Sequence, residues 1–131
     1  MPDNPVISIV DDDESVREAI ESLIKSVGLN AQVFASAEEF LNSNHIEDTS
    51  CLILDMRMPG MSGLELQRRL AAGDYGIPII FISAHSDDKI RAQALGAGAV
   101  DFLFKPFTEE ALVYTVQAAL GPSRDGGPAF E

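Results

Sequence analysis

The sequence predicts a single α/β domain in which five parallel strands alternate with five helices. Short apolar runs and amphipathic stretches follow each other five times along the chain. Glycine, proline, serine and aspartate stand between these units, where turns and helix caps are needed. The length of 131 residues is that of one domain. Such alternation is typical of a doubly wound parallel sheet with helices on both faces.

The first unit is a buried strand followed by an amphipathic helix. Val6–Val10 is a short β-branched run, as in a strand that is covered on both faces. Apolar residues then recur at helical spacing, at Val16, Ala19, Ile20, Leu23, Ile24 and Val27. Gly28 is placed to end this helix, and either Asp13 or Glu14 is placed to cap its start.

The second and third units show the same order. Residues 31–34 form the second predicted strand, and Ser36 with Glu39 resembles a capping box that opens a helix through about Leu41. Residues 51–54 form the third strand. A loop rich in Met, Pro and Gly covers residues 56–62, and a helix over residues 63–72 follows it.

The last two units complete the predicted sheet. The fourth strand covers residues 78–82, with proline only at its start, where it is tolerated. Ser86 caps a predicted helix over residues 87–95, which Gly96 or Gly98 ends. Residues 100–104 form the fifth strand. The last predicted helix begins at the cap Thr108, carries Glu109 and Glu110 in its first turn, and ends at Leu120.

This order of elements predicts a flavodoxin-like fold. Right-handed crossovers leave few topologies for five βα units, and the strand order 2-1-3-4-5 is the expected one. We expect the folded domain to cover residues 1–120. Residues 121–131 have the composition of a linker or a disordered tail.

Composition limits the partners and the location of the chain. A net charge of −12 repels phosphate backbones, so direct nucleic-acid binding by this chain is not expected. No apolar run reaches the roughly 20 residues of a membrane span. The single cysteine, Cys51, excludes an internal disulfide and fits a reducing cytosol. The N-terminus shows no export signal, so we expect a cytoplasmic protein without a membrane partner.

Polar residues follow the predicted strands at the edge where open α/β sheets bind their ligands. They are Asp11, Asp12 and Asp13 after strand 1, Asp55 after strand 3, Ser83 after strand 4, and Lys105 with Pro106 after strand 5. Each preceding strand is apolar, so these groups are expected to converge on one rim.

Three of these carboxylates predict a metal site. Asp11, Asp12 and Asp55 would lie within a few ångströms of one another, where like charges raise each other's pKa unless a cation neutralises them. Ligand sets made only of oxygen favour Mg²⁺, or Mn²⁺. Helix capping accounts for one acid at residue 13 or 14, but not for Asp55, because a Met-Arg-Met-Pro-Gly loop follows it.

A carboxylate is also a nucleophile toward phosphorus and forms an acyl phosphate. Phosphoryl transfer depends mainly on positioning and on neutralising charge. Besides the metal, the Lys105 ammonium can supply positive charge, and the Ser83 hydroxyl can donate a hydrogen bond to a phosphoryl oxygen. The sequence therefore predicts phosphorylation of Asp55.

Four segments contain or adjoin these polar residues: Ile-Val-Asp-Asp-Asp (9–13), Leu-Asp-Met-Arg-Met-Pro-Gly-Met-Ser-Gly-Leu-Glu (54–65), Ile-Ser-Ala-His (82–85) and Gly-Ala-Gly-Ala-Val-Asp-Phe-Leu-Phe-Lys-Pro-Phe (96–107). Together they resemble the receiver domain of two-component response regulators, and the FixJ-like (NarL/FixJ type) members most. The resemblance covers residues 7–120 and implies a CheY-like fold.

The resemblance implies how the site is used. Asp55 would accept a phosphoryl group from a sensor histidine kinase. Asp12, Asp55 and the backbone carbonyl of Arg57 would bind Mg²⁺, with Asp11 acting largely through water. Lys105 would contact the phosphoryl group, and its bond to Pro106 would be cis, which few X–Pro bonds are.

The resemblance also implies a switch. Ser83 and Phe102 would move together on phosphorylation, and a homodimer would form through the face of helix 4 and strand 5. Arg57 and His85 lie beside the pocket and are candidates for tuning the phosphoryl lifetime, although a solvated loop position explains His85 equally well. Met56 and Ala84 flank the same positions and belong to this modulating group. Phe102 can alternatively be a static core aromatic.

Other functions remain open at this point. A phosphatase of the haloacid dehalogenase type needs a second acid where Arg57 stands, and a flavin carrier needs a phosphate cradle where Asp-Asp-Asp stands. No enzyme is expected beyond self-phosphorylation and slow autodephosphorylation. The output is expected to be transcription through a helix-turn-helix domain, which these 131 residues lack. A stand-alone receiver, a kinase-attached one, or a docking module without phosphorylation are the alternatives.

Overall fold

The computed structural model describes residues 5–84 and 88–121 of the chain. It contains one five-stranded sheet with the order β2-β1-β3-β4-β5, and all neighbouring strands are parallel. The strands are β1 (Val6–Val10), β2 (Asn30–Phe34), β3 (Cys51–Asp55), β4 (Ile79–Ser83) and β5 (Asp101–Phe104). The predicted fold class and strand order are confirmed.

In the described ranges, five helices connect and flank the strands. They are α1 (Glu14–Ser26), α2 (Ala37–Leu41), α3 (Gly63–Ala72), α4 (Asp88–Gly96) and α5 (Glu109–Leu120). Gly28 lies just beyond α1 with a φ of 87°, a conformation in which glycine has no steric penalty. The predicted cap Ser86 lies outside the described residues, as do residues 122–131 of the predicted linker.

Side chains at the helix starts explain where the helices begin. Asp13, and not Glu14, caps α1, because its Oδ1 accepts hydrogen bonds from the amides of Ser15 and Val16 at 2.9 and 3.3 Å. Ser36, Ser62 and Thr108 cap α2, α3 and α5 in the same way. The Glu39 carboxylate accepts a hydrogen bond from the Ala35 amide. In a capping box its partner would be the amide of the cap residue, Ser36.

The core has two layers, one on each face of the sheet. The layer beneath α1 and α5 is built from Ile7, Ile9, Ile20, Ile24, Cys51, Ile53, Ile80, Ile82, Leu112 and Val116. The layer beneath α2, α3 and α4 includes Val10, Phe34, Phe40, Leu52, Leu54, Leu66, Phe81 and Phe102. Every residue of β3 and β4 is buried, so the centre of the sheet is a rigid platform for the residues at its carboxyl edge. Within the described residues, no helix is both long and apolar enough to cross a bilayer.

Candidate functional site

The predicted polar residues lie together at the carboxyl edge of the sheet. Asp11 and Lys105 follow β1 and β5, while Asp55 and Ser83 are the last residues of β3 and β4. This corrects the sequence prediction by one residue, because backbone pairing continues past the apolar run. The Met56 amide donates to the carbonyl of Ile82 at 2.9 Å, and the Lys105 amide donates to the carbonyl of Ser83 at 2.7 Å.

Three carboxylates form one acidic cluster at this edge. Asp11, Asp12 and Asp55 each offer an oxygen, and these oxygens lie within 4.8 Å of one another. Asp11 and Asp55 are buried, whereas Asp12 is exposed at the mouth of the pocket. Oδ1 of Asp11 accepts a hydrogen bond from the Asp13 amide at 2.9 Å, which fixes the orientation of its side chain.

Lys105 supplies a positive charge to the same pocket. Its Nζ lies 3.0 Å from Oδ2 of Asp11 and 3.6 Å from Oδ1 of Asp55. Burial lowers the pKa of Lys105, but the hydrogen bond and charge of Asp11 and the charge of Asp55 outweigh burial, so the net pKa is raised and the ammonium stays charged. The peptide bond between Lys105 and Pro106 is cis.

Burial, together with the neighbouring carboxylates, raises the pKa of Asp55 to about 7. Burial is the largest cause, the negative charges of Asp11 and Asp12 add to it, and Lys105 opposes it. One ammonium therefore does not neutralise the pocket. Three carboxylates at this separation are a donor set that fits a hard divalent cation such as Mg²⁺.

The candidate switch residues lie in the same layer of the core. Phe81 and Phe102 are paired across β4 and β5, and their ring centroids are 6.2 Å apart. Side chains alternate along a strand, so Ser83 faces the same layer as Phe81 and Phe102. Ser83 and Phe102 are both buried, and the Phe102 ring lies 5.2 Å from the partly exposed Phe104 ring.

The candidate modulating residues lie in two loops. Met56 is buried directly after Asp55, Arg57 is exposed, and Ala84 is exposed after β4. The backbone of Met56 is fixed on both sides, because its carbonyl accepts a hydrogen bond from the Gly63 amide at 3.0 Å. His85 lies outside the described residues.

Two contacts near the site were missed by the sequence analysis. The Arg17 guanidinium donates to the backbone carbonyl of Asp11 at 2.8 Å. The Glu38 carboxylate accepts a hydrogen bond from the Met61 amide at 3.0 Å. Neither contact can be predicted from neighbouring residues in the sequence. A charged side chain near the start of a helix, such as Arg17 or Glu38, is ordinarily expected to point into solvent.

Comparisons with known proteins agree with this geometry. Residues 7–117 match the family model described as response regulator receiver domain. The response regulator protein TodT of Pseudomonas putida is 52% identical over 115 residues, which are 88% of this chain and 51% of that protein. The transcriptional regulatory protein FixJ of Azorhizobium caulinodans is 39% identical over 127 residues, covering 97% of this chain and 60% of FixJ. The chain thus spans about half the length of the curated relatives it matches.

Solved structures show the same similarity. The crystal structure of FixJ-N superimposes with a TM-score of 0.81 at 37% identity and covers 92% of this chain and 95% of that one. The low-resolution structure of the response regulator StyR has a TM-score of 0.84 at 47% identity, over 90% of this chain and 60% of that one.

Proposed function

This chain belongs to the family of response regulator receiver domains, and on that premise we propose that it accepts a phosphoryl group on Asp55. One observation supports this most. The buried Asp55 carboxylate is the last residue of a central strand, 3.6 Å from an ammonium and within a cluster of three carboxylates. A nucleophile, a metal donor set and a cation thus meet at one edge of the sheet.

The chain's own donors fit one divalent cation. Asp11, Asp12, Asp55 and the backbone carbonyl of Arg57 would hold Mg²⁺ or Mn²⁺, with Asp11 acting mainly through water. Bound there, the ion would neutralise the carboxylates and the charge that develops on the phosphoryl oxygens.

The reaction is a displacement at phosphorus. A carboxylate oxygen of Asp55 forms the new O–P bond, while the bond from phosphorus to the donor breaks and the leaving group keeps its electron pair. With a phosphohistidine of a sensor histidine kinase as donor, the leaving imidazole nitrogen takes up a proton from solvent. Lys105 neutralises charge on the phosphoryl group, and the Ser83 hydroxyl donates to one of its oxygens.

Residues around the acceptor would set how long the acyl phosphate lasts. Water attack on the phosphoryl group ends the signal, and Met56, Arg57 and Ala84, which directly follow β3 and β4, would tune its rate. His85, the next residue in the sequence, is the fourth candidate. The chain is no enzyme toward other substrates in this proposal, since it promotes only its own phosphorylation and slow dephosphorylation.

Phosphorylation becomes a signal through packing. When Ser83 turns toward the phosphoryl group it vacates space beside β4, and the Phe102 ring, which is already buried, shifts toward β4 to fill it. This change reshapes the face of α4 and β5, through which the phosphorylated chain forms a homodimer. Relatives such as FixJ are named transcriptional regulatory proteins, so we propose transcription as the output, through a domain beyond the matched residues.

The experiment is phosphorylation by acetyl phosphate with Mg²⁺, followed by intact mass spectrometry. We expect a labile gain of one phosphoryl group that requires Mg²⁺ and is lost in Asp55→Asn. Asp74→Asn is the matched control, because Asp74 is exposed in a turn away from the cluster and asparagine tolerates its φ of 59°. An unmodified parent protein, or an equal gain in Asp55→Asn, would contradict the proposal.

A further inference from the structure

Glu38 lies in the first turn of α2, but its carboxylate binds another part of the chain. Its Oε2 accepts a hydrogen bond from the backbone amide of Met61, 23 residues later, at 3.0 Å. The start of α2 does not need this carboxylate, since Ser36 caps the helix and Glu39 accepts the amide of Ala35. The Glu38 side chain is therefore available to connect α2 to residues 56–62, the acceptor loop.

Gly60 completes this contact from the other side. It has a φ of 78°, and a Cβ built on it would lie 2.8 Å from Oε2 of Glu38. The carboxylate thus rests directly over the α-carbon of Gly60 while it binds the next amide. A side chain at residue 60 would displace the carboxylate or shift the loop.

The acceptor loop is otherwise tied at its ends. The Met56 amide is bonded to the carbonyl of Ile82, and the Met56 carbonyl to the amide of Gly63. Between these ends lie Arg57, whose carbonyl is a proposed metal ligand, and Met58, which is buried. The bond from Glu38 to Met61 restrains this outer part of the loop.

We propose that Glu38 is a positioning residue for the phosphorylation site, in that its hydrogen bond to Met61 keeps the acceptor loop in the conformation that presents the Arg57 carbonyl to the metal. The inference rests on the proposed function. A ligand that is already in place costs less ordering when the ion binds, so loss of the bond weakens Mg²⁺ binding without removing a ligand.

The first experiment compares Glu38→Ala, Glu38→Gln and the control Glu47→Ala. Glu47 is an exposed acid, so its loss changes net charge equally. Glutamine keeps an oxygen that accepts from the Met61 amide but has no charge. By calorimetry, Mg²⁺ affinity is expected to fall about 3- to 10-fold in Glu38→Ala, the value of one hydrogen bond, and to stay within about twofold in the other two variants.

A second readout needs no metal. In NMR spectra of the metal-free protein, the Met61 amide proton resonance is expected to move upfield in Glu38→Ala and to change little in Glu47→Ala. In Glu38→Gln the Met61 amide is expected to stay hydrogen-bonded, so its resonance should remain close to the parent position. This readout tests the contact itself and does not depend on phosphorylation.

A double-mutant cycle then tests the fit at Gly60. Gly60→Ala adds backbone strain in any background, but its methyl group meets the carboxylate only where Glu38 is present. We expect Gly60→Ala to weaken Mg²⁺ binding more in the parent protein than in Glu38→Ala. Equal losses in both backgrounds would contradict the inference.

Other outcomes also decide it. If Glu38→Gln binds Mg²⁺ as weakly as Glu38→Ala, charge and not positioning is responsible, and the inference is wrong. Parent-like Mg²⁺ binding in Glu38→Ala overturns it as well. If the parent protein binds no Mg²⁺ and accepts no phosphoryl group, the proposed function fails, and that result is distinct from an effect confined to the Glu38 variants.

Discussion

At the scale of single residues, burial and the neighbouring carboxylates destabilise the charged form of Asp55 when no metal ion is bound. Asp55 is buried beside Asp11, and its pKa of about 7 contrasts with the ordinary value of 3.8. Between these two values the folded protein keeps a proton that the unfolded chain has released. The contribution of Asp55 to the free energy of unfolding therefore falls as pH rises from about 4 to about 7.

Asp55→Asn is expected to remove this dependence. With EDTA present, the gain in the free energy of unfolding over the parent should be small near pH 4 and reach about 1–2 kcal/mol above pH 7, after allowing for solvent screening. Denaturant unfolding at several pH values measures it, with Asp74→Asn as the control. A gain that does not change with pH would show that the carboxyl keeps an ordinary pKa.

Cys51 gives a second prediction at this scale. Its side chain is fully buried in β3, and burial raises the pKa of the thiol to about 12. The native protein is therefore expected to resist Ellman's reagent at pH 8 and to react at once in guanidinium, because only a thiolate reacts. Rapid labelling of the folded protein would show that β3 opens far more readily than its packing implies.

The residues of the acidic pocket were predictable, while Glu38 was not. Asp11, Asp55 and Lys105 each follow an apolar run in the sequence, and a parallel sheet brings such positions to one edge. The partner of Glu38 is 23 residues away in a loop, and nothing in its neighbours along the chain distinguishes it from a solvated acid.

At the scale of elements, α4 is the least anchored helix. Ala94 is its only buried residue, whereas α3 buries Gly63, Leu66, Gln67 and Leu70. The carbonyl of Ala94 accepts hydrogen bonds from Nε2 of Gln67 and from the Ala99 amide, both at 3.1 Å. The carboxyl end of α4 is thus attached to α3, whereas nearer its amino end Ile90 is only partly buried against the core.

Hydrogen exchange is expected to show this difference. Amides of α4 should exchange faster than those of α3, and Gln67→Leu should accelerate exchange in α4 by about 3- to 10-fold, since one hydrogen bond is lost. Arg68→Ala, next to Gln67 but exposed, should leave α4 unchanged. Equal protection of α3 and α4 would mean that contacts other than apolar burial secure the helix.

Most element boundaries were predicted within one residue, and two of the one-residue differences at strand ends have the same cause. Strand β3 was predicted to end at Leu54 but includes Asp55, and β4 includes Ser83. Hydrophobic pattern reports which side chains are buried, whereas strand ends depend on backbone hydrogen bonds to neighbours far away in the chain.

At the scale of the whole molecule, alternation and chirality were sufficient to predict the topology. Five βα units with right-handed crossovers leave few orders, and the structure has the expected one. The alternation of strands and helices does not predict how the phosphorylated chain associates. It reflects packing in the core, whereas association depends on surface residues that the core does not constrain.

The proposed homodimer is expected to form only after phosphorylation. The face of α4 and β5 includes the partly exposed Phe104, and Tyr114 on the adjacent α5 is 75% exposed. Light scattering with acetyl phosphate and Mg²⁺ should show a doubled mass. Arg91→Glu, at an exposed position of α4, should reduce dimerisation about tenfold or more, because it reverses a charge within the interface.

The control for this experiment is Arg68→Glu on α3, which lies outside the proposed face and should dimerise normally. An unchanged mass on phosphorylation, or equal loss of dimer in both variants, would place the contact elsewhere or exclude it.

The backbone hydrogen bonds that join β4 to Met56 and Lys105 couple loss of the phosphorylation site to unfolding of the sheet. The backbone next to Asp55 and that of Lys105 are hydrogen-bonded to the buried strand β4. We therefore expect both residues to keep their positions as long as the sheet stays folded. Heat inactivation and collapse of the domain are then a single event. A destabilising substitution in the core would therefore abolish phosphorylation even though every residue of the site is unchanged.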